Sequence, residues 1–315
     1  MLYRNLGSSG VKVSVIGLGT NQFGGKVVAK SVAEIIAAAV DQGVNFFDTS
    51  NMYQGGRSEE TIGKAIKSYR RYDLVIGTKF YSKTGEGPND RGTSRKHIIQ
   101  AVEDSLRRLD TDYIDLYQMH RWDPTVPIEE TLRTLDDLIT QGKVRYIGSS
   151  GFASWQIALS QKISEQQGWS KFVTEQPHYH LLVRETEKEI LPACDYFGIG
   201  ILPYFPLAGG FLTGKYQRGQ SVPEGSRGET SAYVQRYLTD DYFTILERLE
   251  VFAAASQHSM TDLAHAWLIA NPNISSVISG ATRVEHVLEN VKGAEWFLSS
   301  DELSEIDQII GKEID

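Results

Sequence analysis

The sequence predicts a (β/α)8 barrel on three observations. Eight short runs rich in β-branched and aromatic residues recur along the chain. A helical pattern follows each run, as repeated βα units with a buried parallel sheet require. The glycine fingerprint of an open dinucleotide-binding sheet is missing: Gly17-Leu18-Gly19 is followed by Thr20-Asn21-Gln22, without the third glycine. The runs are VSVIGLG (13–19), VNFFD (44–48), DLVIGTK (73–79), DYIDLYQ (112–118), VRYIGSS (144–150), KFVTEQ (171–176), GIGILPY (198–204) and ISSVISG (274–280). Ahead of them, LYRNL-GSSG-VKVS reads as a β-hairpin able to plug the N-terminal end of a barrel. Helices are expected over Ser31–Gln42, with Ser31 as cap and Glu34 three residues on, over Ser94–Leu109, with one apolar face, and over Ile128–Gln141, between Pro127 and Gly142. A helical tail closes the chain. The 315 residues suit a single barrel domain over 1–315, since such barrels run to about 250 residues plus insertions.

Composition narrows the function. The hydrophobic fraction is 41%, the charged fraction 23% and the net charge −8, which argues against nucleic acid or an anionic membrane as partner. Any anion site must therefore be built locally from a few Arg and Lys side chains. Cys194 is the one cysteine, so no internal disulfide forms and a cytoplasmic location is expected. The first ten residues carry no apolar signal core, and no apolar run approaches the ~20 residues of a membrane span. Gln217–Thr230, rich in Gly, Ser and Pro, is the stretch expected to be mobile.

In a barrel the chemistry sits at the C-terminal ends of the strands. Those ends carry Gly19, Asp48, Lys79, His120, Ser150, Gln176, Tyr204 and Gly280, and Tyr53 follows Asp48 closely enough to fold back over the mouth. Four of these residues make chemical sense together. A phenol near pKa 10 is a poor acid at neutral pH. A nearby ammonium, Lys79, is expected to lower it, with Asp48 holding the ammonium charged and in place. Tyr53 then serves as general acid to a carbonyl oxygen that His120 orients. Each residue alone has an ordinary structural explanation; the conjunction carries the argument.

The segments NFFDTSNMYQGGRSEETIGKAI, GTKF, YIDLYQMHRWD, VRYIGSSGF, LPYFPLAGGFLTGKY and SGATRVEHVLEN resemble the aldo-keto reductase superfamily over roughly Leu2 to Asn290. They look closest to the branch holding bacterial aldo-keto reductases and potassium-channel β subunits. The resemblance implies a barrel, an NADP(H) cofactor, a small-molecule carbonyl substrate, and a tetrad on Asp48, Tyr53, Lys79 and His120 with Tyr53 as proton donor. It implies cofactor contacts from Thr20, Asn21 and Asp48. Ser150 and Gln176 fall at the nicotinamide carboxamide, and Tyr204 stacks on the nicotinamide. Phe205, Pro206, Leu207, Ala208, Gly209, Lys215 and Arg227 fall along the pyrophosphate. Gly280, Thr282, Arg283, His286, Glu289 and Asn290 fall at the adenosine and its 2′-phosphate. A helix N-terminus near Arg283 suits an anion, and Arg283 can fork onto a phosphate.

The sequence also departs from the family pattern. Gly151 stands where Asn is common, so one carboxamide contact is lost or passes to Ser149 or water. His286 replaces Gln or Arg, and Phe205 replaces Ser, leaving that contact to its backbone. Phe23, Tyr81 and Trp122 are expected to ring the substrate mouth, which suits apolar or aromatic carbonyls. His178-Tyr179-His180 has the alternation of a metal site without a third ligand, and no metal is expected. A redox-sensing subunit with slow turnover, or a sugar or alcohol dehydrogenase working oxidatively, are the alternatives; the intact tetrad with His120 favours a carbonyl reductase.

Overall fold

The computed structural model describes residues 1–311. Strands β1 (Tyr3–Asn5) and β2 (Lys12–Ser14) pair as the expected hairpin, with Tyr3 opposite Ser14 and Asn5 opposite Lys12. Eight parallel strands follow: β3 (Ile16–Gly19), β4 (Phe46–Asp48), β5 (Val75–Phe80), β6 (Ile114–Met119), β7 (Val144–Ser150), β8 (Phe172–Gln176), β9 (Gly200–Ile201) and β10 (Val277–Gly280). Consecutive strands are neighbours, and β10 pairs β3. Bridges from Ile201 to Ile274 and from Tyr204 to Ile278 close the barrel. β9 is shorter than the 198–204 run because Pro203 has no N–H to give the ladder; its carbonyl still accepts from Ile278 N at 3.0 Å.

Helices α1 (Ala29–Asp41), α2 (Arg57–Ala65), α3 (Arg95–Leu109), α4 (Ile128–Thr140), α5 (Ser154–Gln167) and α6 (Ile190–Phe197) follow the first six barrel strands in turn. Two single-turn helices, α7 (Arg227–Thr230) and α8 (Ala232–Gln235), lie in a long insertion after β9, ahead of α9 (Asp240–Ala255) and α10 (Met260–Ala270). Helices α11 (Val284–Lys292) and α12 (Ser300–Ile310) complete the chain. Ser94 caps α3 by accepting from His97 N, as its position predicts. Ser31 does not cap α1. That helix starts at Ala29, two residues before the predicted start, with Val28 at the N-cap position, and it buries Val32, Ile35, Ile36 and Ala39. Among the described residues no helix is long and apolar enough to cross a membrane.

The hairpin plugs the barrel floor. Leu6 and Val13 are fully buried against Phe46, Val75, Leu116, Leu202 and Ile278 inside the lumen. Gly7, in the left-handed region at φ +57°, lies so close to β8 that a Cβ there would sit 1.9 Å from the Val173 carbonyl oxygen. Arg4 reaches the C-terminal end of α10 and donates to the carbonyls of Ile269, Asn271 and Ile274. With that end sealed, the open end of the barrel is the one where the strands finish.

Candidate active site

Asp48, at the end of β4, is 2% exposed, and Lys79, in β5, is 0% exposed. The Lys79 ammonium donates to Asp48 Oδ2 at 2.6 Å and to the Thr49 carbonyl at 2.8 Å. The other carboxylate oxygen accepts the side-chain amides of Gln118 at 3.1 Å and Gln176 at 3.0 Å. A buried ion pair needs every lone pair and proton engaged, and these amides supply what Lys79 leaves open. Tyr53 arrives over the pair because the backbone turns sharply after it: Gln54, Gly55 and Gly56 all have positive φ, which two glycines make tolerable. Below that turn Arg108 pairs with buried Glu59 at 2.7 Å, and Glu59 also accepts Thr78 Oγ1 at 2.6 Å, so α2, α3 and β5 are locked together.

Lys79 Nζ lies 5.2 Å from the centroid of the Tyr53 ring. His120 meets the same ring edge-on at 6.1 Å, and its Nδ1 is 3.3 Å from Ser50 Oγ. Burial pulls the Lys79 ammonium down, but Asp48 and Tyr53 together hold it above the ordinary lysine value. Burial also raises the Tyr53 phenol; Lys79 opposes this by charge and hydrogen bond, and Asp48 adds to it. The expected lowering of the phenol by Lys79 is thus real as a contribution and outweighed in sum, because desolvation disfavours phenolate more than one ammonium favours it. The phenol stays protonated at neutral pH, the form a proton donor needs. His120 is pushed down to about 3, by burial first and then by Lys79 and Arg121, so its imidazole is neutral.

The tetrad stands at the head of a cleft of about 1480 Å³. Thr20, Asn21, Ser150, Gln176, Tyr204, Phe205, Pro206, Leu207, Gly209, Lys215, Arg227, Gly280, Thr282, Arg283, His286, Glu289 and Asn290 all line it; Ala208 is fully buried and does not. Six cations line it: Lys26, Arg121, Lys215, Arg227, Arg283 and Lys292. The insertion after β9 crosses the cleft, where Lys26 Nζ donates to the Gly225 carbonyl at 3.1 Å.

A family model described as the aldo/keto reductase family matches residues 15–311. The chain belongs to the aldo/keto reductase family. A protein of Oryza sativa named as a probable voltage-gated potassium channel subunit beta is 40% identical over 299 residues, 93% of this chain and 90% of that protein. A Schizosaccharomyces pombe protein whose name assigns it provisionally to the aryl-alcohol dehydrogenases is 37% identical over 339 residues, 98% of this chain and 95% of that protein. An aldo-keto reductase of Fusarium vanettenii is 36% identical over 332 residues, 95% of this chain and 88% of that protein. Family membership makes this chain a carbonyl oxidoreductase of the barrel type.

Several placements in this aldo-keto reductase differ from expectation. Phe23 is fully buried in the core and does not reach the cleft, because its loop folds inward. Tyr81 does not line the cleft either, while Trp122 does, packed edge-on against Phe152 and Trp155. Ser149 cannot replace the missing Asn at 151: its hydroxyl is committed to the fully buried Glu175, which also accepts from Phe152 N. Burial, opposed by these donors, pushes the Glu175 carboxyl up to about 7. Phe205 and Ala208 have left-handed backbones although neither is glycine, and such strain concentrates where a backbone must meet a ligand. Gln118, Thr49 and Glu175 were missed by sequence reasoning. Gln118 was within reach, since it lies in β6 two residues before His120, which directly follows the strand's last residue.

Proposed function

We propose that this aldo-keto reductase reduces aldehydes or ketones to alcohols with NADP(H), Tyr53 giving the proton. The observation that carries the reading is a protonated, half-buried phenol beside a buried ammonium at the head of a cation-lined cleft. The cleft residues suit such a cofactor. A Cβ on Gly210 would lie 2.7 Å from Lys215 Nζ, so glycine leaves the ammonium room to lie over the chain. Ser226 Oγ and Asp262 Oδ1, on residues lining the cleft, are buried without a hydrogen-bond partner. The first turn of α11 has no side-chain cap, leaving its N–H groups for a phosphate. Lys215 and Arg227 would hold the pyrophosphate, Arg283 the 2′-phosphate, and Tyr204 the nicotinamide face. Bound NADPH supplies the hydride.

The chain's own work is proton delivery and orientation. The Tyr53 hydroxyl donates to the carbonyl oxygen as charge develops there, and Lys79 stabilises the phenolate left behind. Neutral His120, its Nδ1 beside the Ser50 hydroxyl, orients the same oxygen through Nε2. An absorbance assay over aldehydes, ketones and sugars with NADPH and NADH tests the whole reading; no turnover of any carbonyl rejects it. The slow-turnover sensing subunit remains the second reading, favoured by the 40% identity to a protein named as a probable channel subunit. A turnover number far below that of ordinary reductases across the panel would select it.

Two predictions belong to this site. Arg283 lies at the start of α11 beside Glu285 at 3.5 Å. Arg283→Ala should weaken NADPH by about 1.5 kcal/mol, roughly tenfold, and leave NADH unchanged; equal losses for the two cofactors reject the 2′-phosphate role. Arg121 lines the cleft beside His120 and acts electrostatically on both His120 and Tyr204, with no hydrogen bond or ion pair among the described residues. An unpaired guanidinium beside an aromatic wall favours aryl aldehydes that carry a carboxylate. The kcat/KM ratio of 4-carboxybenzaldehyde to its methyl ester should exceed one and collapse about tenfold in Arg121→Gln. A ratio that the substitution leaves untouched rejects that preference.

A further inference from the structure

The His178-Tyr179-His180 run belongs, among the described residues, to no group of three or more side chains that could hold a metal ion. Its two imidazoles instead converge on one hydroxyl. Tyr233 Oη, in α8, lies 2.5 Å from His178 Nε2 and 2.9 Å from His180 Nε2. The direction of each bond follows from proton counting. Leu182 N–H donates to His180 Nδ1 at 3.2 Å. A neutral imidazole has one N–H and one acceptor nitrogen, so the His180 proton sits on Nε2 and is donated to Tyr233. The phenol has one proton, which is left for His178 Nε2. Burial keeps both rings neutral, lowering His178 to about 4 and His180 well below its ordinary value.

This directed chain ends under the cofactor site. The His178 ring lies nearly parallel to Tyr204, with centroids 5.2 Å apart and planes 13° from each other. Tyr204 lines the cleft. Its strand position is fixed by a bridge to His178 and by its N–H donating to the Pro177 carbonyl at 3.1 Å. Tyr233 also packs its ring on Phe205 at 5.1 Å, and Val234 presses so close to Gly209 that a Cβ there would lie 2.7 Å from its methyl. The Arg236 guanidinium covers the Tyr233 ring at 4.5 Å and donates to Tyr237. The insertion is held at its tip by an exposed hydrogen bond from Lys26 to Gly225, along its length by Arg218 on Asp240, Thr244 and Glu247, and at its base by the part-buried Tyr233 chain.

We propose that Tyr233 is a positioning residue of the cofactor site: its hydroxyl, passed between His180 and His178, docks the base of the insertion onto the ring stack that supports Tyr204. Retention of the cofactor and support of the nicotinamide face are then one event, because the same bond serves both. This rests on the NADP(H) reading above, and the test separates the two. Tyr233→Phe keeps the ring against Phe205 and Arg236 and removes the hydroxyl. His178→Gln keeps an acceptor near Tyr233 and removes the ring beneath Tyr204.

NADPH release is measured by stopped-flow fluorescence, and hydrogen exchange is followed across residues 205–237 of the NADPH complex. Both variants should release NADPH about tenfold faster, the equivalent of one hydrogen bond. Exchange should rise across 205–237. The KM for NADPH should rise, and the single-turnover rate with saturating cofactor should fall by less than release accelerates. Release at the parental rate in either variant overturns the proposal, as does an equal loss in single-turnover rate with no change in release. If Tyr233→Phe does not fold, His178→Gln decides alone by the same readouts. A parent that binds no NADPH rejects the function reading instead.

Discussion

Tyr53→Phe should lose at least a hundredfold in turnover while NADPH binding changes little. General acid catalysis contributes about 10² to 10⁴ in rate, and the phenol is the proton-bearing group at the head of the cleft. The ring is kept in the variant, so its edge contact with His120 and its place over Lys79 survive. Only the proton and one hydrogen bond are lost. The pH profile of the parent adds a second readout. The raised phenol predicts activity that stays level through neutral pH and declines as Tyr53 ionises above the ordinary tyrosine range. His120, held near 3, contributes no inflection between pH 5 and 8. Single-turnover rates and a cofactor titration on the variant decide the matter. Retention of most of the parental rate would show that the tetrad is misassigned.

Lys79→Met should be nearly inactive at neutral pH and should also be less stable. Two effects combine. Removing the ammonium takes away the one contribution from charge and hydrogen bonding that lowers the Tyr53 phenol, so the acid weakens and any residual activity extends to higher pH. It also strips a fully buried ion pair of one partner. Such a loss costs about 3–5 kcal/mol, and the lower end is expected because Gln118 and Gln176 still donate to Asp48. The pH dependence of this loss follows from its sign. A lysine raised in the folded state contributes its stability fully below the ordinary value of 10.5 and loses it only as pH climbs through the raised value. The gap between parent and variant in urea melts should therefore be constant from pH 6 to 9. A full rate with an unchanged pH profile would remove Lys79 from the mechanism, and an unchanged urea midpoint would remove it from the stability argument.

The legible part of this protein was the part written in local periodicity and residue chemistry. Strand positions could be read from short runs rich in β-branched and aromatic residues; β7 fills its predicted run, Val144–Ser150, from end to end. The tetrad could be read because barrel topology sends every strand end to one rim, so residues far apart in sequence meet without any contact being predicted. Loop side chains were harder. Phe23 and Trp122 looked alike as aromatic residues after strand ends, yet one is sealed in the core and the other lines the cleft. Nothing in a single residue type says which way a loop folds.

The barrel and the rim were legible in the sequence, and so was the grouping of Asp48, Tyr53, Lys79 and His120 there, because these follow from the order and spacing of strand ends; Lys215, Arg227 and Arg283 were reached only through the family resemblance. The tertiary structure decided three things. It decided the protonation balance at Tyr53, where burial outweighs Lys79, since desolvation depends on everything packed around a group and not on its neighbours in sequence. It decided that Ser149 serves Glu175 and not the cleft, since a hydroxyl bonds whatever the fold brings within reach. And it decided that His178 and His180, which alternate like metal ligands, share the Tyr233 hydroxyl from 53–55 residues further along the chain. Hydrogen bonds are directional and short-ranged, so their partners become known only when the chain has closed on itself.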